Sequence, residues 1–351
     1  MAQGLAGPPK AAPADVVRHL LAVQSQDYPG ATWALGQRMA AGTQESIGAL
    51  FDQGTFVRTH VLRPTWHFVA PEDLRWLLAL TGPRLLRGAA HRHRALEIDA
   101  ELVVRAETVF EEVIRRDGPQ TRPELGMALA EAGIQAEAGR LAHLIMCAEY
   151  EARICSGPRK GRLQSYALID DRVPPSRPRE RDEALAELAA RYVGGHGPIQ
   201  DIDLAWWSGL SLGDARRGLA GAGERVERTV LADGRTFWSA DQAGAGARDL
   251  PPSTHLLPNF DELLVAMRDR RDGAHPDLPE DARAPEHIFN DVIVIDGEVV
   301  GEWDRPAPKG TPRLGLRPRV PLDARTRAAV DAAVARYAAF VDRTIEAVWL
   351  D

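Results

Sequence analysis

A helix–helix–helix–hairpin order that recurs three times, followed by a β-rich stretch and a long amphipathic C-terminal stretch, predicts an α+β chain that is mainly α. The expected architecture is three tandem winged helix-turn-helix units with a C-terminal β element and a closing helix. At 351 residues the chain exceeds one ordinary core, and the expected divisions are 1–98, 99–176, 177–250 and 251–351.

In the first unit, Asp15 is expected to cap a helix on which Val16, Leu20 and Val23 recur at helical spacing. Pro29 disfavours the α region at Tyr28, so that helix should loosen across Val23-Gln24-Ser25-Gln26-Asp27-Tyr28-Pro29-Gly30. Ala31 to Met39 reads as a second helix, and Thr43 caps a third, Gln44 to Asp52, that ends near Gly54. Thr55 to Val69 is β-branched and aromatic with Pro64 in its middle, which reads as a hairpin. Pro71 then opens a further helix.

The second unit repeats the order. Leu102 to Arg116 is helical and stops at Gly118-Pro119, Thr121 caps Arg122 to Ala132, and Glu137 to Glu151 forms the third helix. Ala152 to Cys155 and Gln164 to Ile169 pair across a basic, glycine-punctuated tip. In the third unit the helices are Asp182 to Tyr192, ended by Gly194-Gly195, then Ile199 to Trp207 and Ser211 to Gly221; Val226 to Leu231 and Arg235 to Trp238 turn at Asp233-Gly234. After residue 250, His255 to Glu262 leads into a short helix, Leu263 to Asp269, and Asp291 to Trp303 is a hairpin turning at Asp296-Gly297. Arg305 to Pro318 reads as turn-rich, and Pro321 to Leu350 as one long helix.

Hydrophobic residues make up 44% of the chain and charged residues 26%, the balance of a soluble globular protein. No apolar run approaches the roughly 20 residues that span a membrane, and Met1 to Pro13 lacks the apolar centre of a secretory signal. Cys147 and Cys155 make neither a disulfide framework nor a zinc-site spacing, so a reduced, cytoplasmic setting is expected. The net charge of −7 speaks against a nucleic-acid partner for the chain as a whole, but the basic residues cluster. Arg84 to Arg94 forms one cluster, Arg153 to Arg162 a second, and Arg305, Lys309, Arg313, Arg317 and Arg319 a third. His91-Arg92-His93-Arg94 would radiate around a helix, which is a solvated basic face rather than a metal tract, and no metal or cofactor is expected.

Gln24 and Gln26 carry the sharpest chemical signal. In an extended or unwinding segment, residues i and i+2 return to one side, and two amides there can hold and aim a water molecule. The alternative is a polar helix end with two solvated glutamines. Arg58, His60, Arg63 and His67 form a second cluster: either phosphate contacts beside the glutamines, or a half-buried wing in which His67 satisfies backbone groups.

These stretches occur in a telling order: Leu-Ala-Val-Gln-Ser-Gln-Asp, then Arg58-Thr59-His60 through Arg63-Pro64-Thr65-Trp66-His67, then Leu257-Pro258-Asn259-Phe260-Asp261-Glu262, then Asp296 to Trp303. In that order, over nearly the whole chain, the sequence resembles the AlkZ/YcaQ family of winged-helix DNA glycosylases. The resemblance implies three tandem winged helices, double-stranded DNA as partner, and hydrolysis of the N-glycosidic bond of alkylated purines, with interstrand crosslinks as substrates of some members. It implies a Gln-apolar-Gln or Gln-apolar-Asp catalytic signature, which Gln24 and Gln26 match at both ends while Ser25 replaces the apolar residue.

The chemistry agrees. A purine alkylated at N7 or N3 is already cationic and leaves without a general acid, so what remains is to place water near C1′ and tolerate an oxocarbenium-like transition state. Asp27 would add negative charge there, or else serve as a helix-end carboxylate. Asp261 and Glu262 would lie near the cleft, or interact with a helix dipole. Arg159, Lys160 and Arg162 at the second hairpin tip, with Arg313 and Arg317, are candidate phosphate contacts. The expected protein is a monomeric, nucleoid-associated monofunctional glycosylase; the rival is a non-catalytic winged-helix transcription regulator, the commoner use of such a fold.

Overall fold

The computed structural model describes residues 2–137, 139–240, 252–269, 273–283, 290–306 and 312–350; Lys309 and the division at 250/251 lie outside them. The first group of elements is α1 (Pro13–Leu20), β1 (Ala22–Gln24), α2 (Tyr28–Gly36), α3 (Gln44–Gln53), β2 (Val57–His60), β3 (Trp66–Val69) and α4 (Pro71–Ala95). Next come α5 (Ala100–Asp117), β4 (Gln120–Thr121), α6 (Arg122–Glu131), α7 (Arg140–Tyr150), β5 (Ile154–Ser156), β6 (Ser165–Leu168) and the one-turn α8 (Ile169–Arg172). A third group holds α9 (Arg181–His196), α10 (Asp201–Ser208), α11 (Leu212–Gly221), β7 (Glu227–Val230) and β8 (Thr236–Ser239). The last comprises β9 (Thr254–Leu257), α12 (Glu262–Val265), β10 (Val292–Ile295), β11 (Glu298–Asp304), β12 (Arg313–Pro318), α13 (Ala324–Phe340) and β13 (Glu346–Trp349).

The expected α+β class holds, and so do most elements. Thr43 caps α3 and Gly54 ends it in the left-handed region, while Thr121 and Glu124 form a reciprocal capping box on α6. The strands form sheets β1-β3-β2, β4-β6-β5, β7-β8 and β13-β12-β11-β10-β9, antiparallel except that β12 and β13 run parallel.

The departures have physical reasons. Pro13 opens α1 and Asp15 sits in its first turn, pairing with Arg18 rather than capping. The helix stops at Leu20, Leu21 turns at φ 67°, and Val23 lies on a strand, not on the helix. Leu20 to Val23 is apolar at every position, so its pattern suits a doubly buried strand as well as a helix end, and pairing with β3 decides. Pro29 stands in the first turn of α2 instead of breaking a helix, since proline's missing N–H costs nothing there. Helix α9 runs through Gly194-Gly195 because Gly195 is a packing residue: a Cβ there would lie 2.6 Å from the carbonyl of His19. In the C-terminal part Thr254–Leu257 is a strand, the short helix begins at Glu262 and ends at Val265, and the turn-rich stretch contains β12. The closing helix ends at Phe340 and the chain returns as β13 against β12.

Two cores meet at β1. Val23 belongs to a cluster uniting α1, α2 and α3 with the five-stranded sheet and α13, through Trp33, Phe51, Phe68, Trp303 and Phe340. Its neighbour Ala22 belongs to another, built from β2, α4 and α9 to α11. The three-residue strand that carries Gln24 is thus wedged between both, while α5 to α7 with β5 and β6 enclose a core of their own.

Candidate active site

Three non-glycine residues with positive φ, each at a sparsely populated backbone conformation, stand immediately before the functional stretches. They are Leu21 (67°) before β1, Leu62 (65°) before Arg63, and Phe260 (60°) before Asp261-Glu262. Leu21 and Leu62 are fully buried, so packing holds those turns.

Gln24 ends β1 opposite His67 of β3, and its side chain is almost wholly buried. Its backbone N–H donates to Glu262 Oε1 at 2.7 Å, and its Oε1 accepts from Arg63 Nη2 at 2.8 Å. Both ends of the residue are therefore held, and the carbonyl oxygen keeps a second lone pair. Gln26, two residues on, is exposed, with Oε1 3.5 Å from the backbone nitrogen of Trp66.

Glu262 is the deepest charge in the site, with no exposed surface. Besides Gln24 it accepts from Trp207 Nε1 at 2.8 Å and faces His196 Nε2 at 3.4 Å. Burial pushes its pKa up, but the hydrogen bond and charge of His196 and the Gln24 N–H outweigh that and hold it below the usual glutamate value. Nδ1 of His196 donates to the Tyr192 carbonyl at 3.1 Å, which fixes the ring so that Nε2 faces the carboxylate. Burial pulls the Arg63 guanidinium below its ordinary pKa, while Glu262 acts in the opposite sense.

His67 is wholly buried. Its Nδ1 donates to the Thr65 carbonyl at 3.0 Å, and burial with Arg63 nearby pushes its pKa down to about 3, so the ring is neutral. His60 is buried with Nδ1 on Glu149, its ring 4.7 Å from that of Trp66. Arg58 lies inside as well: Nε and Nη2 reach the Ser25 carbonyl at 3.0 and 2.8 Å, Nη2 reaches that of Gln26 at 3.3 Å, and Nη1 reaches Gln164. Burial brings its pKa down to about 10. The polar atoms of Arg58, His60 and His67 are thus turned onto the protein's own groups, as in the half-buried alternative for this cluster. Arg58 holds the backbone that presents Gln26.

Asp27 precedes α2 and pairs with Arg305 at 2.5 Å, which also bonds Asp291 at 2.8 Å. Asp261 is buried, bidentate with Arg38 at 2.8 Å for each oxygen, and caps α12 through Leu263 N–H. The expected phosphate contacts are mostly engaged: Arg159 on Asp52, Lys160 on Glu124, Arg313 on Glu346, Arg317 on Asp304. Arg162 is exposed with no ion pair among the described residues.

The structure thus gathers Gln24, Arg63, His67 and Glu262 at one point, keeps Gln26 and Arg58 adjacent, and commits Asp261, Arg313 and Arg317 to ion pairs with other residues. Trp207, His196 and Arg38 were not singled out from the sequence as site residues, and Arg305 was read only as part of a basic cluster. Among the described residues no group of His, Cys, Asp and Glu is placed to hold a metal, and no helix is long and apolar enough to cross a membrane.

The helix and hairpin order of this α+β chain, with Gln24 closing a buried strand, leads to its class. The chain belongs to the AlkZ-like DNA glycosylase family, whose model matches residues 17–340. It is 23% identical over 313 residues to the interstrand DNA cross-link repair glycosylase of Streptomyces sahachiroi, covering 83% of this chain and 81% of that protein. Its fold resembles the solved structure of the Streptomyces sahachiroi DNA glycosylase AlkZ with a TM-score of 0.76 at 21% identity, over 99% of this chain and 97% of that one.

Proposed function

We propose that this enzyme hydrolyses the N-glycosidic bond of cationic alkylated purines in double-stranded DNA, interstrand crosslinks among them, with Gln24 and Gln26 aiming the attacking water. The three helix–hairpin groups act as winged helices on the duplex, and the protein works as a monofunctional, monomeric, cytoplasmic enzyme associated with the nucleoid. The observation that carries the mechanism is the double restraint of Gln24, with Glu262 on its N–H and Arg63 on its carbonyl.

A water held between the free lone pair of Gln24 Oε1 and the amide of Gln26 presents its own lone pair to C1′. Neither amide removes a proton in advance, so the leaving group must depart first or nearly so, which a cationic purine does. The positive charge then passes to the sugar. Arg63 would oppose that charge, but the buried Glu262 carboxylate offsets it, and His67 adds none because it is neutral. Arg58, by holding the Ser25 and Gln26 carbonyls, fixes the distance between the two amides.

The test is release of 7-methylguanine, and unhooking of a crosslinked duplex, by the parent and by Gln24→Ala and Gln26→Ala. Each variant should lose release by at least about a hundredfold, the scale of removing one positioning or polar catalytic group, while DNA affinity stays within about twofold. Undiminished release by both variants, or equal release of undamaged adenine by the parent, would overturn the assignment.

A further inference from the structure

Beside the glutamine stretch lies a cavity of about 520 Å³ that the water-aiming mechanism leaves unused. Tyr28, Phe51 and Arg58 form one wall, and Arg159, Arg162 and Gln164 of the β5–β6 connection form the other. The volume falls within the range of about 300–1,000 Å³ common to small-molecule sites.

Its polar groups are incompletely met. The Tyr28 hydroxyl is buried with no hydrogen-bond partner. Gln164 gives its carbonyl oxygen to Arg58, while its amide nitrogen, also buried, has none. Buried polar groups of this kind are ordinarily satisfied by protein, water or ligand. The charge is one-sided. The Arg58 and Arg159 guanidinium carbons lie 5.9 and 5.7 Å from the Tyr28 ring centroid. Arg159 is balanced by Asp52, but Arg58 and Arg162 have no carboxylate at ion-pair distance among the described residues.

Those signs bear on what can enter. A cationic alkylated purine would meet two guanidinium groups without a directly paired carboxylate, Arg58 feeling Glu149 and Asp27 only at longer range, whereas a neutral base with ring-nitrogen and carbonyl acceptors, joined to an anionic phosphate, suits them. A hydroxyl and an amide N–H offer donors to any base edge, and Arg162 at the rim offers a phosphate contact. We infer that the cavity receives one neutral nucleotide unstacked from the DNA beside or opposite the lesion, its base against Tyr28 and Gln164 and its phosphate at Arg162, while the cationic lesion stays outside at Gln24 and Gln26. This rests on the glycosylase reading for the duplex that is bound.

The test uses the full-length protein and duplexes bearing a 2′-fluorinated 7-methylguanine nucleotide, whose fluorine disfavours the oxocarbenium-like state and so blocks release. A 2-aminopurine, a neutral base that fluoresces when unstacked, is placed in turn on either side of the lesion and opposite it. At saturating protein, one position should brighten several-fold. Tyr28→Phe keeps the ring against Phe51 and Phe68, at 5.5 and 5.7 Å, and removes only the hydroxyl. That variant and Arg162→Ala, both checked for a parent-like melting temperature, should each cut the rise by half or more at saturation. Quenched probes at every position with the parent, or a rise that both variants retain, overturns the inference. Base release from unfluorinated duplexes is read separately: release with dark probes refutes the cavity alone, and bright probes without release refute the glycosylase chemistry alone.

Discussion

Replacing Glu262 with glutamine tests the centre of the site without changing its volume. The carboxylate accepts from Gln24 N–H at 2.7 Å and from Trp207 Nε1 at 2.8 Å, and it has no access to water. A carboxamide has one accepting oxygen, so whichever way it turns, its NH2 meets another N–H. A charge-assisted bond contributes about 1.5–3 kcal/mol and a stranded buried donor costs about 1–3 kcal/mol. Relief of the carboxylate's own desolvation offsets part of this, which leaves a destabilisation of about 2–4 kcal/mol. Urea unfolding at neutral pH measures it, and single-turnover release of 7-methylguanine measures the effect on chemistry. Even half of that loss expressed at Gln24 slows release about tenfold, since each 1.4 kcal/mol is a factor of ten. The pH dependence carries a sign as well. A glutamate whose folded pKa lies below its unfolded value supplies stability above pH about 4.5 that vanishes as pH falls through the folded value. The variant should lose that acid-side component. Stability within about 0.5 kcal/mol of the parent, together with an unchanged release rate, would refute the reasoning.

His67, held neutral with its pKa near 3, should make the fold lose stability as pH drops below about 6.5, by roughly 1.4 kcal/mol per pH unit once well below it. His255, pushed down to about 4 by burial, adds a contribution of the same sign; His67→Gln should flatten the fall between pH 7 and 5, and equal falls in parent and variant would contradict the neutral assignment. Arg162→Ala should reduce the slope of log affinity against log salt by about 0.9, whereas Lys160→Ala, whose ammonium lies 2.9 Å from Glu124, should change it less. Equal slopes for both variants would remove Arg162 from the interface. Gly209 has φ 68° and an added Cβ would lie 2.5 Å from the Leu62 carbonyl, so Gly209→Ala should cost about 1–3 kcal/mol in urea unfolding and slow release by displacing Arg63.

How much of this was legible beforehand depends on whether a signal was local. Capping residues, Asp-Gly turns and β-branched runs are local, and α3, α6, α11 and three hairpins followed from them. Strand β1 was not legible, because an apolar run of four residues fits a helix end equally well until its partner strand is known. The parallel pairing of β12 and β13 was hidden for the same reason. At the site, the expectation for Gln24 and Gln26 came from residue type and spacing together with the family resemblance. The inward turn of Arg58, His60 and His67 was one of two readings left open, since alternation along a strand reveals faces but not that both faces of this one are covered. Glu262 was noticed by resemblance, and its role became clear only when Trp207 and His196 appeared beside it.

The bond from Gln24 to Glu262 joins positions 238 apart. Synthesis proceeds from the amino end at about 5–20 residues per second, so the strand bearing the glutamines emerges long before the carboxylate that anchors it. An unfinished or C-terminally clipped chain would carry its early basic hairpins yet leave Gln24 without its anchor. On the proposed mechanism, base release should therefore appear only after the final hundred or so residues have been made.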